Sequence, residues 1–455
     1  MQRFDCRDLA VTAANQEAVD RFDTLTRSFL AHSKTAQAAL CACFDADEDL
    51  TLAHTARGFF CALLGQRRYL GAARESLTKA KASADRRGAT NRESVLIAAL
   101  EDVLSDRPAA GVERLNRHIE RQPLDALSIK ISHGLQFMLG HSNGMRSSLE
   151  TVLPAWNEST PEYGYILGCY GFALEETGDY RAAEVTGRRG VGLAPDDAWG
   201  WHGVAHVMEM QGRAREGIVW LKAFEDRLPN VNNFAYHVFW HRALFHLEMG
   251  ETDEVFRLYD NSIRADMTDD FRDIANGASL LMRLEFDGID VGSRWEELAD
   301  LSAGHLADHY LTFADAHYMM ALASAGRPET VADMLESVKA ASEGEGHGAT
   351  MMRRFCQPLM KAIAAFASGR YEVAQEALAS VRSGLSSIGG SHAQRDVFEQ
   401  MLVEAALRAG NTVAAAGLLH ERLARRPNNL WARKRLNKIE APIDGTNESS
   451  ASAIA

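Results

Sequence analysis

The chain has 455 residues, a formal net charge of −13 and 46% hydrophobic residues, the composition of a folded protein. Nucleic acid and anionic membranes are not expected as partners, because an acidic chain offers no basic stripe that would release their counterions. The sequence shows neither an apolar leader nor a run of about 18 apolar residues. Six cysteines lack paired metal-binding spacing. These features predict a cytoplasmic protein with reduced thiols.

Three regions follow one another along the chain. Residues 1–50 are expected to form an N-terminal helical cap, with helices near residues 15–30 and 35–44. Residues 51–440 carry a repeating pattern and are expected to form one continuous repeat domain. Residues 441–455 are small and polar, which predicts a disordered tail. Only ten prolines occur in the whole chain, which favours helices throughout.

The repeating phrase is a helix, then a glycine with a polar residue, then a second helix with an early alanine. Its turns lie 34 to 43 residues apart and fall at Gly65, Asp106, Gly140, Gly178, Gly212, Gly250, Gly288, Gly326, Gly369 and Gly410. A glycine at this place ends the first helix in a left-handed conformation. The pattern predicts an all-α fold, a tetratricopeptide-like helix-turn-helix superhelix (α-solenoid) of about ten helix pairs.

Three longer phrases are more specific than the generic repeat. They are AWGWHGVAHVMEMQGRAREGIVWL from Ala198, YHVFWHRALFHLEMGETDEVFRLYDNSI from Tyr236 and LTFADAHYMMALASAGR from Leu311. Through them the chain resembles the tetratricopeptide repeat protein 38 family over roughly residues 5–440. The resemblance implies a soluble helical-repeat protein and says little about chemistry.

The repeat register divides the aromatic and histidine residues of segment 197–251 between two helix faces. Trp201, Met208 and His246 fall on the face that packs within the unit. The inner, concave face receives Trp199, His202, His206, Glu209, His237, Trp240 and His241. Because adjacent first helices line the inner surface side by side, His202, His206, Glu209 and His237 are expected in one neighbourhood. The functional hypotheses rest on this set.

The first hypothesis is a protein that binds a ligand in the concave groove around residues 199–241. The ligand is a small molecule or a protein or peptide, and self-association into a homo-oligomer is left open. Residues expected to line the groove are Trp199, Trp240, Glu175, His309 and Phe313. His309 lies on a later unit, so it can approach His206 only if the superhelix curls tightly.

The alternative is an enzyme that acts on a small molecule in the central channel. Its catalytic residues would be His202, His206, Glu209, His237 and His241, since histidine exchanges protons near neutral pH. The cofactor is unknown, and a divalent metal is one possibility. Its ligands would be His202, His206, Glu209 and His237, because residues at i, i+4 and i+7 share one helix face. A purely structural role for all these histidines is the remaining alternative.

Overall fold

The computed structural model describes residues 2–441, so the predicted tail lies outside the described residues except for Ala441. The chain begins with two short antiparallel strands, Gln2–Phe4 (β1) and Ala10–Thr12 (β2), which the sequence did not predict. The two helices expected in this region follow, as Gln16–Leu30 (α1) and Ala36–Ala46 (α2). The division of the chain at residues 50 and 440 stays a prediction.

Helix pairs fill the chain from residue 51 onward. In its first half the helices are Thr51–Leu63 (α3), Leu70–Arg87 (α4), Asn91–Leu104 (α5), Pro108–Arg121 (α6), Ala126–Met138 (α7), Ser142–Val152 (α8), Tyr163–Glu176 (α9), Tyr180–Leu193 (α10), Ala198–Gln211 (α11), Ala214–Lys222 (α12), Phe234–Glu248 (α13) and Thr252–Leu258 (α14). Short 3₁₀ turns extend several of these connections, at Arg67–Tyr69, Leu153–Ala155 and Leu228–Asn230. A π-helical turn, Tyr259–Ile263, follows α14.

The second half repeats the arrangement. Its helices are Phe271–Phe286 (α15), Arg294–Ser302 (α16), Thr312–Ser324 (α17), Pro328–Ser342 (α18), Gly346–Met351 (α19), Gln357–Ala367 (α20), Tyr371–Val381 (α21), His392–Arg408 (α22), Thr412–Arg425 (α23) and Leu430–Glu440 (α24). A π-helical turn, Met352–Cys356, joins α19 to α20, and 3₁₀ turns lie at Ala303–His305 and Arg382–Ile388. The predicted all-α superhelix of helix pairs is confirmed.

The turn residues have the backbone conformation that the spacing predicted. All ten have positive φ, from +58° at Asp106 to +86° at Gly178. This left-handed region costs an L-residue with a Cβ about 1–2 kcal/mol, which explains why nine of the ten are glycine. Asp106, the exception, accepts a hydrogen bond from the backbone N–H of Gly348 at 3.1 Å.

Two alanine substitutions in one unit are expected to have opposite effects on stability. Gly410 has a φ of +76°, whereas Gly417 lies exposed inside α23, and a Cβ at either position would meet nothing within 4 Å. Gly410→Ala should lower the free energy of unfolding by about 1–2 kcal/mol through backbone strain alone. Gly417→Ala should raise it by about 0.5–1 kcal/mol through helix propensity. Urea denaturation measures both, and equal effects would contradict the assigned turn.

The inner helices are buried on all sides. Every residue of α11 from Ala198 to Met208 is buried, and most residues of α9, α13, α15, α17 and α22 are buried as well. A helix that is buried all round must be surrounded by protein. Side chains therefore fill the space around these helices. Trp199, Trp240, Glu175 and Phe313 are buried in this packed interior instead of lying open to solvent, and their role in binding a ligand stays a prediction.

The superhelix curls tightly enough for its early and late units to touch. Side-chain hydrogen bonds connect Gln66 with the carbonyl of Asp269, Asn428 with the carbonyl of Gln211, and the backbone N–H of His392 with Glu176, at 2.8 to 3.1 Å. These partners are 203 to 217 residues apart. Turns of the early pairs therefore pack against the starts of pairs about six units later.

Two further expectations concern the chain's environment. Among residues 2–441, helices long and apolar enough to cross a membrane are absent. All six cysteines are free; Cys43, Cys169 and Cys356 are buried, but Cys6 and Cys41 are exposed. Three of the six thiols therefore lie in the protein core.

Candidate metal centre

Two pairs of histidines face each other across neighbouring inner helices. His202 and His206 lie one turn apart on α11, and His237 and His241 lie one turn apart on α13. Residues at i and i+4 share one helix face, so each helix presents two rings to the other. The Nε2 atom of His202 lies 2.8 Å from that of His206 and 3.1 Å from that of His237. The Nε2 atoms of His237 and His241 are 3.2 Å apart.

These separations fit the edges of a metal coordination tetrahedron. Zn²⁺ binds imidazole nitrogen at about 2.0–2.1 Å, which places two ligands of a tetrahedron about 3.3 Å apart. The three measured edges are within about half an ångström of that value, and all four histidines offer a nitrogen within 4.8 Å of the others. The cluster therefore has the ligand type, number and spacing of a four-coordinate metal site.

The outer nitrogens of two rings are fixed by hydrogen-bond acceptors. His241 donates from Nδ1 to a carboxylate oxygen of Glu209 at 3.1 Å. His237 donates from Nδ1 to the side-chain oxygen of Asn276, on α15, at 2.8 Å. In the neutral form of each ring the hydrogen then sits on Nδ1, and Nε2 carries a lone pair. Two lone pairs therefore face each other at 3.2 Å, an arrangement that repels unless a cation lies between them.

His206 has a carboxylate behind it as well. Its Nδ1 atom lies 3.5 Å from Oε2 of Glu175, outside hydrogen-bond geometry, and neither carboxylate oxygen of Glu175 has a hydrogen-bond partner within residues 2–441. Burial, followed by the charges of Glu176 and Glu209, raises the pKa of Glu175 well above its usual value. A small approach of this carboxylate would give His206 the same support that Glu209 gives His241.

Burial keeps three of the four rings in the form that binds metal. Desolvation, reinforced by neighbouring histidines, holds the pKa values of His202 and His206 well below the usual range and lowers that of His237 to about 3. Neutral imidazole is the ligand form, so no proton has to be displaced at neutral pH. Aromatic rings of Phe172, Trp199, Phe234 and Trp240 lie within 5.4 Å of the imidazoles, measured between centroids.

The structure changes one member of the predicted metal set. His202, His206 and His237 meet at one point, but the fourth nitrogen comes from His241. Glu209 lies outside the group of four nitrogens, where its carboxylate accepts a hydrogen bond from Nδ1 of His241. The side chain of Glu209 does not reach the other ligand atoms, because Glu209 lies about a full turn beyond the point where α11 and α13 bring the histidine rings together. Trp199 and Trp240 pack against the cluster and form part of its apolar wall.

The predicted residues on the later units lie elsewhere. His309 has positive φ and contacts Ser337, through Nε2 at 2.8 Å, and Asp315, through Nδ1 at 3.4 Å. The ring of Phe313 packs on His317. Within residues 2–441 no hydrogen bond, ion pair or ring contact joins His309 or Phe313 to the four histidines. The tight curl of the superhelix therefore does not bring His309 to His206, although the sequence allowed for that.

Sequence reasoning passed over Asn276 and Phe172. Asn276 is a buried polar residue on the next inner helix, and a search for histidine and carboxylate pairs does not reach an amide. Its helix also carries two arginines, an aspartate and a glutamate, so one further polar side chain did not stand out in the sequence. Phe172 stacks on His202, with ring centroids 5.4 Å apart. Nothing in the sequence marked Phe172 as part of the site, since an apolar residue at a core position is expected from ordinary packing.

Comparisons with known proteins give one structural likeness and one correction. No protein-family model matches the chain. Among solved structures, the chain is similar to the human IFIT1 dimer with m7Gppp-AAAA, at 15% sequence identity and a TM-score of 0.35. The likeness covers 86% of this chain and 89% of that one.

The expected exclusion of nucleic acid is corrected by this finding. It rested on the net charge of −13, yet the human IFIT1 dimer, to which the chain is similar, is solved together with m7Gppp-AAAA. A net charge sums over the whole surface and does not describe any one face, so it was too coarse a ground for the exclusion. A TM-score of 0.35 transfers no ligand to this chain.

Proposed function

We propose that this chain is a metal-binding helical-repeat protein whose four histidines, His202, His206, His237 and His241, hold one divalent transition-metal ion. The observation that carries the proposal is the pair of facing Nε2 lone pairs on His237 and His241, each fixed by an acceptor at Nδ1. Without a cation, His202 could donate from Nε2 to Nε2 of His237 at 3.1 Å, but Nε2 of His241 would still face that of His237 with no donor of its own.

Zinc is the first choice of metal. Imidazole nitrogens suit Zn²⁺, Cu²⁺, Fe²⁺ and Ni²⁺, and the edge lengths match a tetrahedron, the geometry that Zn²⁺ adopts in structural sites. Asn276 and Glu209 supply the outer hydrogen bonds that orient metal-ligating histidines.

A structural role is favoured over a catalytic one. Catalytic zinc sites keep a coordination position for water or substrate, whereas structural sites are closed by four protein ligands. Here four nitrogens close the site, and His206 and His241 are completely buried. The metal would join α11 to α13 at the centre of the superhelix. The resemblance to the tetratricopeptide repeat protein 38 family and a cytoplasmic location belong to the same proposal, supported by the quoted phrases and the free thiols.

Metal content tests the proposal directly. The full chain, purified and then incubated with Zn²⁺ and desalted, should hold about one zinc per chain by inductively coupled plasma mass spectrometry. The double variant His202→Ala/His206→Ala should hold close to none. His246→Ala is the matched control, because His246 is buried on α13 but pairs with Glu251 instead of the cluster. Equal zinc in the double variant and the wild type would refute the site.

The amide behind His237 gives a finer prediction. Asn276→Leu removes the acceptor at Nδ1 and should weaken zinc binding about 10–100-fold, the usual effect of losing an outer-layer partner. Asn276→Asp keeps an acceptor oxygen in the same place and should bind zinc at least as tightly as the wild type. Competition with a chromophoric chelator measures both affinities. Similar losses in the two variants would show that side-chain fit, not the hydrogen bond, matters at this position.

A further inference from the structure

Arg283 is a buried cation without a carboxylate partner. Its side chain on α15 is 4% exposed, and its guanidinium donates to the backbone carbonyls of Ser279 at 2.9 Å and Ala393 at 2.7 Å. Within residues 2–441 no carboxylate oxygen comes within 4.0 Å of it. Burial lowers the pKa of Arg283 to about 10. Buried charges are normally paired, so the missing partner needs an explanation.

A cavity lies beside this unpaired guanidinium. Its volume is about 170 Å³, and α11, α13, α15, α22, α23 and α24 all contribute to its wall. Next to Arg283 the wall carries Arg422, Arg426, Gln400 and Trp431. The cavity therefore lies between the early and late units of the superhelix, where donors from both halves converge.

The acidic side chains of this wall already have hydrogen-bond or ion-pair partners. Asp396 accepts from Arg422 at 2.8 Å and lies 3.7 Å from Arg426, so one carboxylate serves two guanidinium groups. Glu209 accepts from His241. Glu248 accepts from the backbone N–H of Leu430 and the amide of Asn429. Asp287, the fourth acidic residue of the wall, pairs with Arg435. None of these four carboxylates comes within 4.0 Å of Arg283, so its guanidinium has no carboxylate of its own.

We propose that this cavity is a binding site for a small oxyanion, a carboxylate or a phosphate, which pairs with Arg283. Guanidinium presents a planar fork of donors that matches both oxyanions. The volume suits a group of a few heavy atoms. The site is distinct from the four-histidine cluster, because none of the four histidines lines the cavity, and Glu209, which does, contacts only the outer nitrogen Nδ1 of His241. The inference does not depend on the metal.

Ligand-observed NMR on the full chain tests the site with two probes, ¹³C-acetate and inorganic phosphate. The wild type should bind one or both saturably, at one site per chain. Arg283→Met should weaken that binding at least about tenfold, since a charge-assisted hydrogen bond is lost. Arg294→Met is the matched control, because Arg294 pairs with Asp260 outside the cavity, and it should leave binding unchanged. Which probe saturates distinguishes carboxylate from phosphate as the source of the oxyanion.

A second variant covers the case in which Arg283→Met does not fold. Arg283→Gln keeps an N–H donor for the backbone carbonyls and removes only the charge, so it should fold and lose binding to the same degree. Failure of both probes to saturate the wild type would overturn the proposal. Binding of equal strength in wild type and Arg283→Gln would overturn it as well. Zinc content, measured on the same samples, reports on the histidine cluster independently.

Discussion

Zinc at about 1,000 times its dissociation constant is expected to raise the free energy of unfolding by about 4 kcal/mol over the metal-free chain. The cation would remove the repulsion between the Nε2 lone pairs of His237 and His241 and join α11 to α13. These two helices bring the four nitrogens together only in the folded chain, so binding free energy becomes folding free energy. Urea denaturation of chelator-treated and zinc-loaded protein measures the difference.

The double variant His202→Ala/His206→Ala provides the control for this experiment. It should show the same unfolding midpoint with and without zinc, because two of the four ligands are gone. A zinc-dependent shift that survives in this variant would place the stabilising metal elsewhere in the chain. A wild type that does not respond to zinc, despite binding it, would mean that the cluster forms equally well in the unfolded chain.

Arg92→Met is expected to lower the free energy of unfolding by about 3–5 kcal/mol, the cost of breaking a buried ion pair from one side. Arg92, on α5, is 1% exposed and donates to Asp125 at 2.8 and 3.0 Å. It also donates to Asp5, in the turn between β1 and β2, at 2.9 Å. Methionine fills a similar volume but leaves both carboxylates without this cation. Chemical denaturation measures the loss.

Acid pH should reduce the difference in the free energy of unfolding between Arg92→Met and the wild type. Burial alone would raise the pKa of Asp125, but the charge of Arg92 and the hydrogen bonds of His118 and Ser128 hold it far below its usual value. Its contribution is therefore present above the unfolded value of about 3.9 and is lost as the pH falls further. Arg21→Met is the control, because Arg21 forms an exposed pair with Glu17 and should cost about 0.5 kcal/mol or less. If the difference in unfolding free energy between Arg92→Met and the wild type grew at acid pH, the stabilising ion pair assigned to Arg92 and Asp125 would be wrong.

The sequence was informative where the cause of structure is local. A left-handed turn residue is required wherever a first helix stops, so the spacing of Gly178, Gly212 and Gly250 could predict both the turns and the helix pairs. The same register placed His202, His206 and His237 in one neighbourhood. The structure brings their Nε2 atoms within about 3 Å of one another in two contacts. That they bind metal stays a prediction.

The sequence was less informative where the structure depends on small rotations between units. Whether an inner face lines a groove or is filled depends on how far each unit turns relative to the last, and no residue pattern reports that angle. The burial of Trp199 and Trp240 and the separation of His309 from His206 follow from it. The exchange of Glu209 for His241 depends on side-chain reach, which a face assignment does not give.

The contacts between early and late units change how the chain can be shortened. In an open repeat array each unit touches only its neighbours, so terminal units can be deleted with local consequences. Here Asn428 and Asn429, at the start of α24, bond to Gln211 and Glu248 near the centre of the chain. Removing the last helix would uncover groups on α11 and α13, and such long-range pairings also slow folding by raising contact order. The units of this chain are therefore less independent, and their folding is more cooperative, than in an open repeat array.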